Sequence, residues 1–116
     1  MKCESYKLAF EELQNGNRDR ARTLLAECHE RSGENFMPYR AIGSAAVASA
    51  DGDHPLAARM IGVADRAFAE TGLAVDDEDA AEMARIRAAA IASFGEDRFA
   101  DERADGSLWE PATVIW

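Results

Sequence analysis

Residues 41–65 read AIGSAAVASADGDHPLAARMIGVAD, and the fold is decided in this stretch. It holds two alanine-rich apolar segments separated by a polar turn, Asp51-Gly52-Asp53. Alanine has the lowest free-energy cost of any residue in a helix, whereas the β-branched residues that favour strands are scarce in this chain. Asp53 is a suitable N-cap, and Pro55 falls in a first helical turn, where its missing N–H does no harm. The stretch therefore predicts two helices joined by a tight turn.

The same arrangement occurs once more towards the N-terminus, around the turn Asn15-Gly16-Asn17. Asn17 is the matching N-cap candidate. When the first pair of helices is shifted by 36 positions, small residues coincide: Ala9 with Ala45, Ala21 with Ala57, and Cys28 with Ala64. Small residues at these places let the two helices of a pair approach closely. This is typical of tetratricopeptide units, which are about 34 residues long.

Further turn signals divide the rest of the chain. Gly33, Gly72, Gly95 and Gly106 are candidate helix stops, and Asp76 is a candidate cap. We predict five main helices at about 3–15, 18–31, 36–50, 54–71 and 77–94, then a short one at about 96–104. Short connections make neighbouring helices antiparallel. We therefore expect one all-α domain over residues 1–116, a tetratricopeptide-like superhelix with units at about 1–34, 35–72 and a degenerate 75–106, and a C-terminal cap at 107–116.

Composition and charge narrow the function classes. The 116 residues are 47% apolar, which is enough for one hydrophobic core. The formal net charge is −9, and such a surface repels phosphate backbones and anionic lipid heads. We expect no direct binding to nucleic acid or to a membrane.

The two cysteines, Cys3 and Cys28, have neither metal-ligand spacing nor the density of a disulfide scaffold. The first residues lack the apolar core of a signal peptide, and no run approaches the ~20 apolar residues of a membrane span. We therefore expect a reduced, cytoplasmic setting, with Cys28 as a buried structural thiol.

Residues 40–99 also resemble a known family. Residues 41–53 and 57–65 are similar to a recurrent segment of large bacterial signalling ATPases, the LuxR-type and related transcriptional activators. The closing pattern of that segment is matched by Phe94, Gly95, Phe99, Gly106, Leu108 and Ala112. The resemblance implies a helical arm that senses a partner or docks on it and passes the binding event to an output module.

The chain departs from this family in two respects. Neither the ATPase motif G-x-x-x-x-G-K-[ST] nor a DNA-binding helix-turn-helix occurs, so ATP use and DNA binding are not expected here. Ser44 stands where the family prefers leucine. Two alternatives stay open: a fragment of a larger regulator, or a short protein that kept only the arm.

Candidate chemistry is sparse. Cys28, His29 and Glu30 are consecutive on a helix and point about 100° apart, so they cannot converge on one metal ion. The turn at residues 51–53 lacks the further oxygen ligands of a calcium loop, and the acidic run at residues 76–79 is explained by the positive end of a helix dipole. Because no catalytic motif occurs, we expect no enzyme, no cofactor and no metal.

The aromatic residues are the best candidates for a binding surface. On a tetratricopeptide template Tyr6, Phe10 and Tyr39 share the concave face, with Arg40 nearby, as a docking surface for a protein or peptide. The alternative is that these residues are core, because aromatics at helical spacing usually pack. The apolar segment 108–116 caps the stack or forms a homodimer contact.

These observations favour a non-catalytic protein-interaction or sensor arm of a bacterial transcriptional or signalling regulator. Two other functions remain open: a module that binds a small molecule, and a free-standing homodimeric scaffold.

Overall fold

The alanine-rich segments and their glycine turns give an all-helical chain. The structure is a computed structural model and describes residues 4–32, 37–73 and 75–108, where no strand occurs. The helices in these ranges are α1 (Glu4–Gln14), α2 (Arg18–Ser32), α3 (Met37–Ala50), α4 (His54–Thr71), α5 (Asp77–Phe94) and α6 (Glu96–Gly106). The predicted all-α class is confirmed.

The predicted N-caps explain where α4 and α5 begin. The side chain of Asp53 accepts a hydrogen bond from the Leu56 N–H at 3.3 Å, and that of Asp76 accepts one from the Asp79 N–H at 2.8 Å. Each bond satisfies a backbone donor that has no partner within the helix. The predictions of both caps, and of a turn at 51–53, are confirmed.

The other predicted helix ends have mixed outcomes. Gly72 and Gly95 follow α4 and α5 at positive φ, 70° and 92°, as predicted for helix stops. The backbone carbonyl of Asn17 accepts the first bond of α2, but its side-chain amide donates to the Glu12 carboxylate at 2.9 Å. The Asn17 side chain therefore ties α2 back to α1.

The helix count differs from the prediction of about five main helices. Six occur in the described ranges, since α6 has 11 residues, the same length as α1. It is longer than predicted because it packs along α4 as a full element. The longest helices, α4 and α5, have 18 residues each, and no helix among those described is long and apolar enough to span a bilayer.

The core runs through all six helices and includes the small positions of the repeat. Ala9, Ala21 and Cys28 of the first pair are fully buried, and so are the residues that match them in the second pair, Ala45, Ala57 and Ala64. Small side chains here allow α1 to pack on α2, and α3 on α4, at close range.

Ion pairs join helices that are distant in the sequence. On α2, Arg18 and Arg22 reach the turn between α3 and α4, where both contact the Asp51 carboxylate at 3.0 and 2.5 Å. On α1, Lys7 reaches the start of α5, where its ammonium lies 3.0 Å from Glu78. Helices α1 and α2 are therefore linked by ion pairs to the turn between α3 and α4 and to the start of α5.

The structure corrects one prediction about cysteine. Cys28 is fully buried, as expected, but it takes part in a disulfide bond and is not a free thiol. The only other cysteine of the sequence, Cys3, lies outside the described residues.

Candidate binding groove

Three of the four predicted docking residues are described, and all three are buried. Tyr39 is 8% exposed and Phe10 7% exposed, and the Tyr39 ring packs edge-on against Phe68 of α4, with 5.5 Å between ring centroids. Arg40 is 8% exposed. Tyr6 lies on α1, and its side chain is outside the described set. For the described members, burial agrees with the packing alternative, because the Tyr39 ring contacts α4.

Several charged side chains are buried as well. Burial lowers the pKa of the Arg40 guanidinium, because desolvation disfavours its charged form. The buried side of α5 carries two carboxylates, Asp79 and Glu82, and Glu82 accepts hydrogen bonds from Arg85 on the same helix. These side chains belong to the packed part of the molecule.

An open groove lies instead between α4, α5 and α6. Its volume is about 880 Å³, and we refer to it as the α4–α5–α6 groove. Alanines of α5 and α6 form much of its walls. The larger apolar side chains in its lining are Ile61, Val75, Met83, Ile91 and Phe99.

The last helix, α6, packs against α4 more extensively than against α5. Gly62 and Gly106 lie at this crossing. A Cβ on Gly62 would stand 2.0 Å from the carbonyl oxygen of Arg103, and one on Gly106 would stand 1.9 Å from that of Arg59. Only glycine permits backbones to approach so closely. With α6 held on α4, α5 and α6 are left to form the two walls of an open groove.

Ion pairs fix α6 in this position. The guanidinium of Arg59 on α4 lies 2.7 Å from Glu102 and 3.5 Å from Asp105. The guanidinium of Arg103 on α6 lies 2.7 Å from Asp65 of α4. Because these groups are part-exposed, each pair contributes little on its own, and together they set the rotation of α6 about its axis.

The groove combines an apolar floor with a charged rim. Ile61 and Phe99 are 4% exposed, whereas Val75 is 45% exposed. The Arg87 guanidinium lies 5.6 Å from the centre of the Phe99 ring, at a distance typical of cation–π contacts. Such a site can take an apolar segment and hold a carboxylate or carbonyl at Arg87.

The described parts of the chain show no cluster of metal-ligating side chains. No group of three or more His, Cys, Asp or Glu side chains there could hold a metal ion. Asp53 is used as a helix cap, and His54 begins α4 beside it. The side chain of His29 lies outside the described set.

Sequence reasoning placed Met83, Arg87 and Ile91 on a degenerate third unit and missed the groove that they line. The available signal was Gly62, a glycine in the middle of a predicted helix, where no turn requires it. Such a glycine costs about 1 kcal/mol relative to alanine and so marks a close approach of two backbones.

Comparisons of the chain with protein-family models, with curated proteins and with solved structures find no match.

Proposed function

We propose that this protein is a non-catalytic interaction arm whose α4–α5–α6 groove takes an apolar segment of a partner protein. The observation that carries the proposal is the open, largely apolar groove itself, with Phe99 at its floor and Arg87 above it. Apolar grooves with a few polar groups on the rim are typical of sites that bind peptides and helices.

Charge favours a protein segment over a nucleic acid. The chain carries a net charge of −9, so a phosphate backbone is repelled at long range. Within the groove, Arg103 is engaged with Asp65, and Glu96 and Asp97 add negative charge at the start of α6. A mainly apolar peptide with at most one acidic group near Arg87 is the partner that this lining suits.

A tetratricopeptide-like arrangement of α1 to α4 is part of the proposal. It is supported by the six fully buried small positions and by the contacts of α3 with α1, α2 and α5. In this view α5 and α6 are a modified third unit, in which α6 leaves its partner helix for α4. The resemblance to LuxR-type signalling regulators gives such an arm its proposed role, which is to transmit partner binding to an output module.

A peptide-display screen tests the proposal. The bait is the chain ending at Leu108, and enriched peptides are retested on two double variants of that bait. Ala84→Glu with Ala88→Glu places carboxylates on exposed groove residues of α5. Ala81→Glu with Ala92→Glu places them on exposed α5 residues outside the groove lining and is the matched control.

We expect apolar, aromatic-containing peptides to bind the unmodified chain and the control variant, and to lose at least tenfold in affinity for the groove variant. Equal binding to all three proteins, or no enrichment of such peptides, contradicts the proposal.

A small apolar molecule is the second candidate occupant. The groove volume of about 880 Å³ lies within the range of ligand pockets, roughly 300–1,000 Å³. A thermal-shift screen with small metabolites on the same three proteins distinguishes it, because a groove ligand raises the melting temperature of the unmodified and control proteins only.

A further inference from the structure

We propose that residues 109–116 of this same chain occupy the α4–α5–α6 groove, so that a partner must displace them to bind. This inference rests on the proposed function, since it assigns a resident occupant to the same groove.

The chain leaves α6 at the edge of the groove. Ser107, the first residue after α6, lies directly against Gly62 of α4, and its carbonyl accepts a hydrogen bond from Arg66 at 3.4 Å. Ile61 and Arg103, which are close in sequence to Gly62 and Ser107, both line the groove. A segment that starts here needs no long connection to enter it.

The segment is long enough to follow the groove. Eight extended residues span about 26 Å at roughly 3.3 Å each. The groove side of α6, a helix of 11 residues, is about 16 Å long at 1.5 Å per residue. Pro111 biases Glu110 away from helical geometry, so the chain is not expected to continue along the axis of α6.

The composition of the segment matches the lining. Residues 109–116 read WEPATVIW, with one acidic side chain, Glu110, among mostly apolar ones. Leu108, immediately before it, is 77% exposed, so an apolar run begins in solvent beside an apolar groove. The two tryptophan rings suit a floor of Phe99, Met83 and Ile91, and Glu110 suits Arg87.

Tethering gives this segment an advantage over any partner. A short flexible connection corresponds to an effective concentration in the millimolar range. A free peptide of equal intrinsic affinity therefore finds the groove mostly occupied, and its apparent affinity falls by the fraction of open groove. A partner therefore binds the groove only if its own affinity for the groove is high enough to displace the segment.

Tryptophan fluorescence tests this inference directly, because both tryptophans of the chain, Trp109 and Trp116, lie in the segment. In the intact chain we expect blue-shifted emission and weak quenching by acrylamide. The groove variant Ala84→Glu with Ala88→Glu should raise the quenching constant about threefold, whereas the control Ala81→Glu with Ala92→Glu should leave it unchanged. Strong, equal quenching in all three proteins overturns the inference.

A second measurement separates the occupants. A synthetic peptide of residues 108–116 should bind the chain ending at Leu108, and its affinity for the intact chain should be at least tenfold weaker. Equal binding to both overturns the inference. Quenching that falls as protein concentration rises also overturns it, because a second copy is then the occupant. If the segment proves solvent-exposed while displayed peptides still require the groove, this inference fails and the proposed function stands.

Discussion

Two glycines at the crossing of α4 and α6 determine how closely these helices approach. A glycine inside a helix usually gains about 1 kcal/mol of stability when replaced by alanine. At Gly62 the opposite is expected, because the new Cβ would stand 2.0 Å from a backbone oxygen that has no rotamer to change. We expect Gly62→Ala and Gly106→Ala each to lower the free energy of unfolding by about 2–3 kcal/mol, measured by urea titration.

Gly43 of α3 is the control for these two positions. A Cβ there would meet the side-chain tip of Leu25 at 2.8 Å, and a flexible tip can move aside. Gly43→Ala should therefore cost less than either variant at the crossing. An increase in stability for Gly62→Ala would show that α6 does not lie against α4 as described.

Ser44 is a buried polar residue whose replacement should stabilise the fold. It is 6% exposed, and its hydroxyl oxygen has no hydrogen-bond partner among the described residues. An unsatisfied buried hydroxyl costs about 1 kcal/mol or more. Ser44→Ala should therefore raise the free energy of unfolding by about 1–2 kcal/mol, part of which is helix propensity.

Ser93 of α5 is exposed, so Ser93→Ala changes the free energy of unfolding through helix propensity alone. Subtracting the effect of Ser93→Ala, about 0.5 kcal/mol, leaves the desolvation part of the Ser44 effect. If the two substitutions change stability equally, the Ser44 hydroxyl has a partner such as a buried water.

At the scale of the helix, the stability of the first turn of α5 depends on its N-cap residue, Asp76. The Asp76 side chain caps the helix through the Asp79 N–H at 2.8 Å, and loss of such a cap costs about 1 kcal/mol. Asp76→Ala should lower the free energy of unfolding by that amount and increase amide hydrogen exchange in the first turn of α5. Asp77→Ala, one residue later and exposed, should cost only about 0.3 kcal/mol through the helix dipole. Equal effects at both positions would contradict a capping role.

The helix ends were predictable from sequence because caps and turns are local. Asp53, Asp76, Gly72 and Gly95 each act on backbone groups within a few residues of themselves. The partner of α6 was not predictable in this way. Its packing on α4 depends on Gly62 and Gly106, which lie 44 positions apart in the sequence. Gly106 alone also fits a helix end, and Gly62 alone marks a close approach of two backbones without identifying the second helix.

The predicted docking residues show the same difference between local features, which the sequence predicts, and contacts between helices, which it does not. Helical spacing placed Phe10 and Tyr39 on apolar faces, and both are buried. Spacing alone does not say whether an apolar face meets solvent or another helix. Phe68 of α4 decides this for Tyr39, and Phe68 lies in the next helix along the chain. The pattern therefore identified apolar residues correctly, while the open groove formed elsewhere.

For the whole molecule, the helices form a compact body, with a radius of gyration of 12.8 Å and extents of 36 × 33 × 25 Å. A domain of this length is expected to have a radius of gyration of about 13 Å. An extended superhelix would exceed that value. Lys7 of α1 reaches Glu78 of α5, so the first helix of the described chain contacts the fifth directly. The α4–α5–α6 groove remains open and largely apolar within this compact body.

Oligomeric state reports whether this groove is covered within one chain. If residues 109–116 fill it, the intact protein should be monomeric by size-exclusion chromatography with light scattering at every concentration.

The chain ending at Leu108 should keep its helical circular dichroism, because the core residues all precede Leu108 in the described structure. Its uncovered groove should promote self-association as concentration rises. The groove variant Ala84→Glu with Ala88→Glu, made in this shortened chain, should restore the monomer. A stable dimer of the intact protein would instead favour the scaffold function. Loss of the melting transition on truncation would make residues 109–116 a required part of the core, and the groove would then be unavailable to a partner.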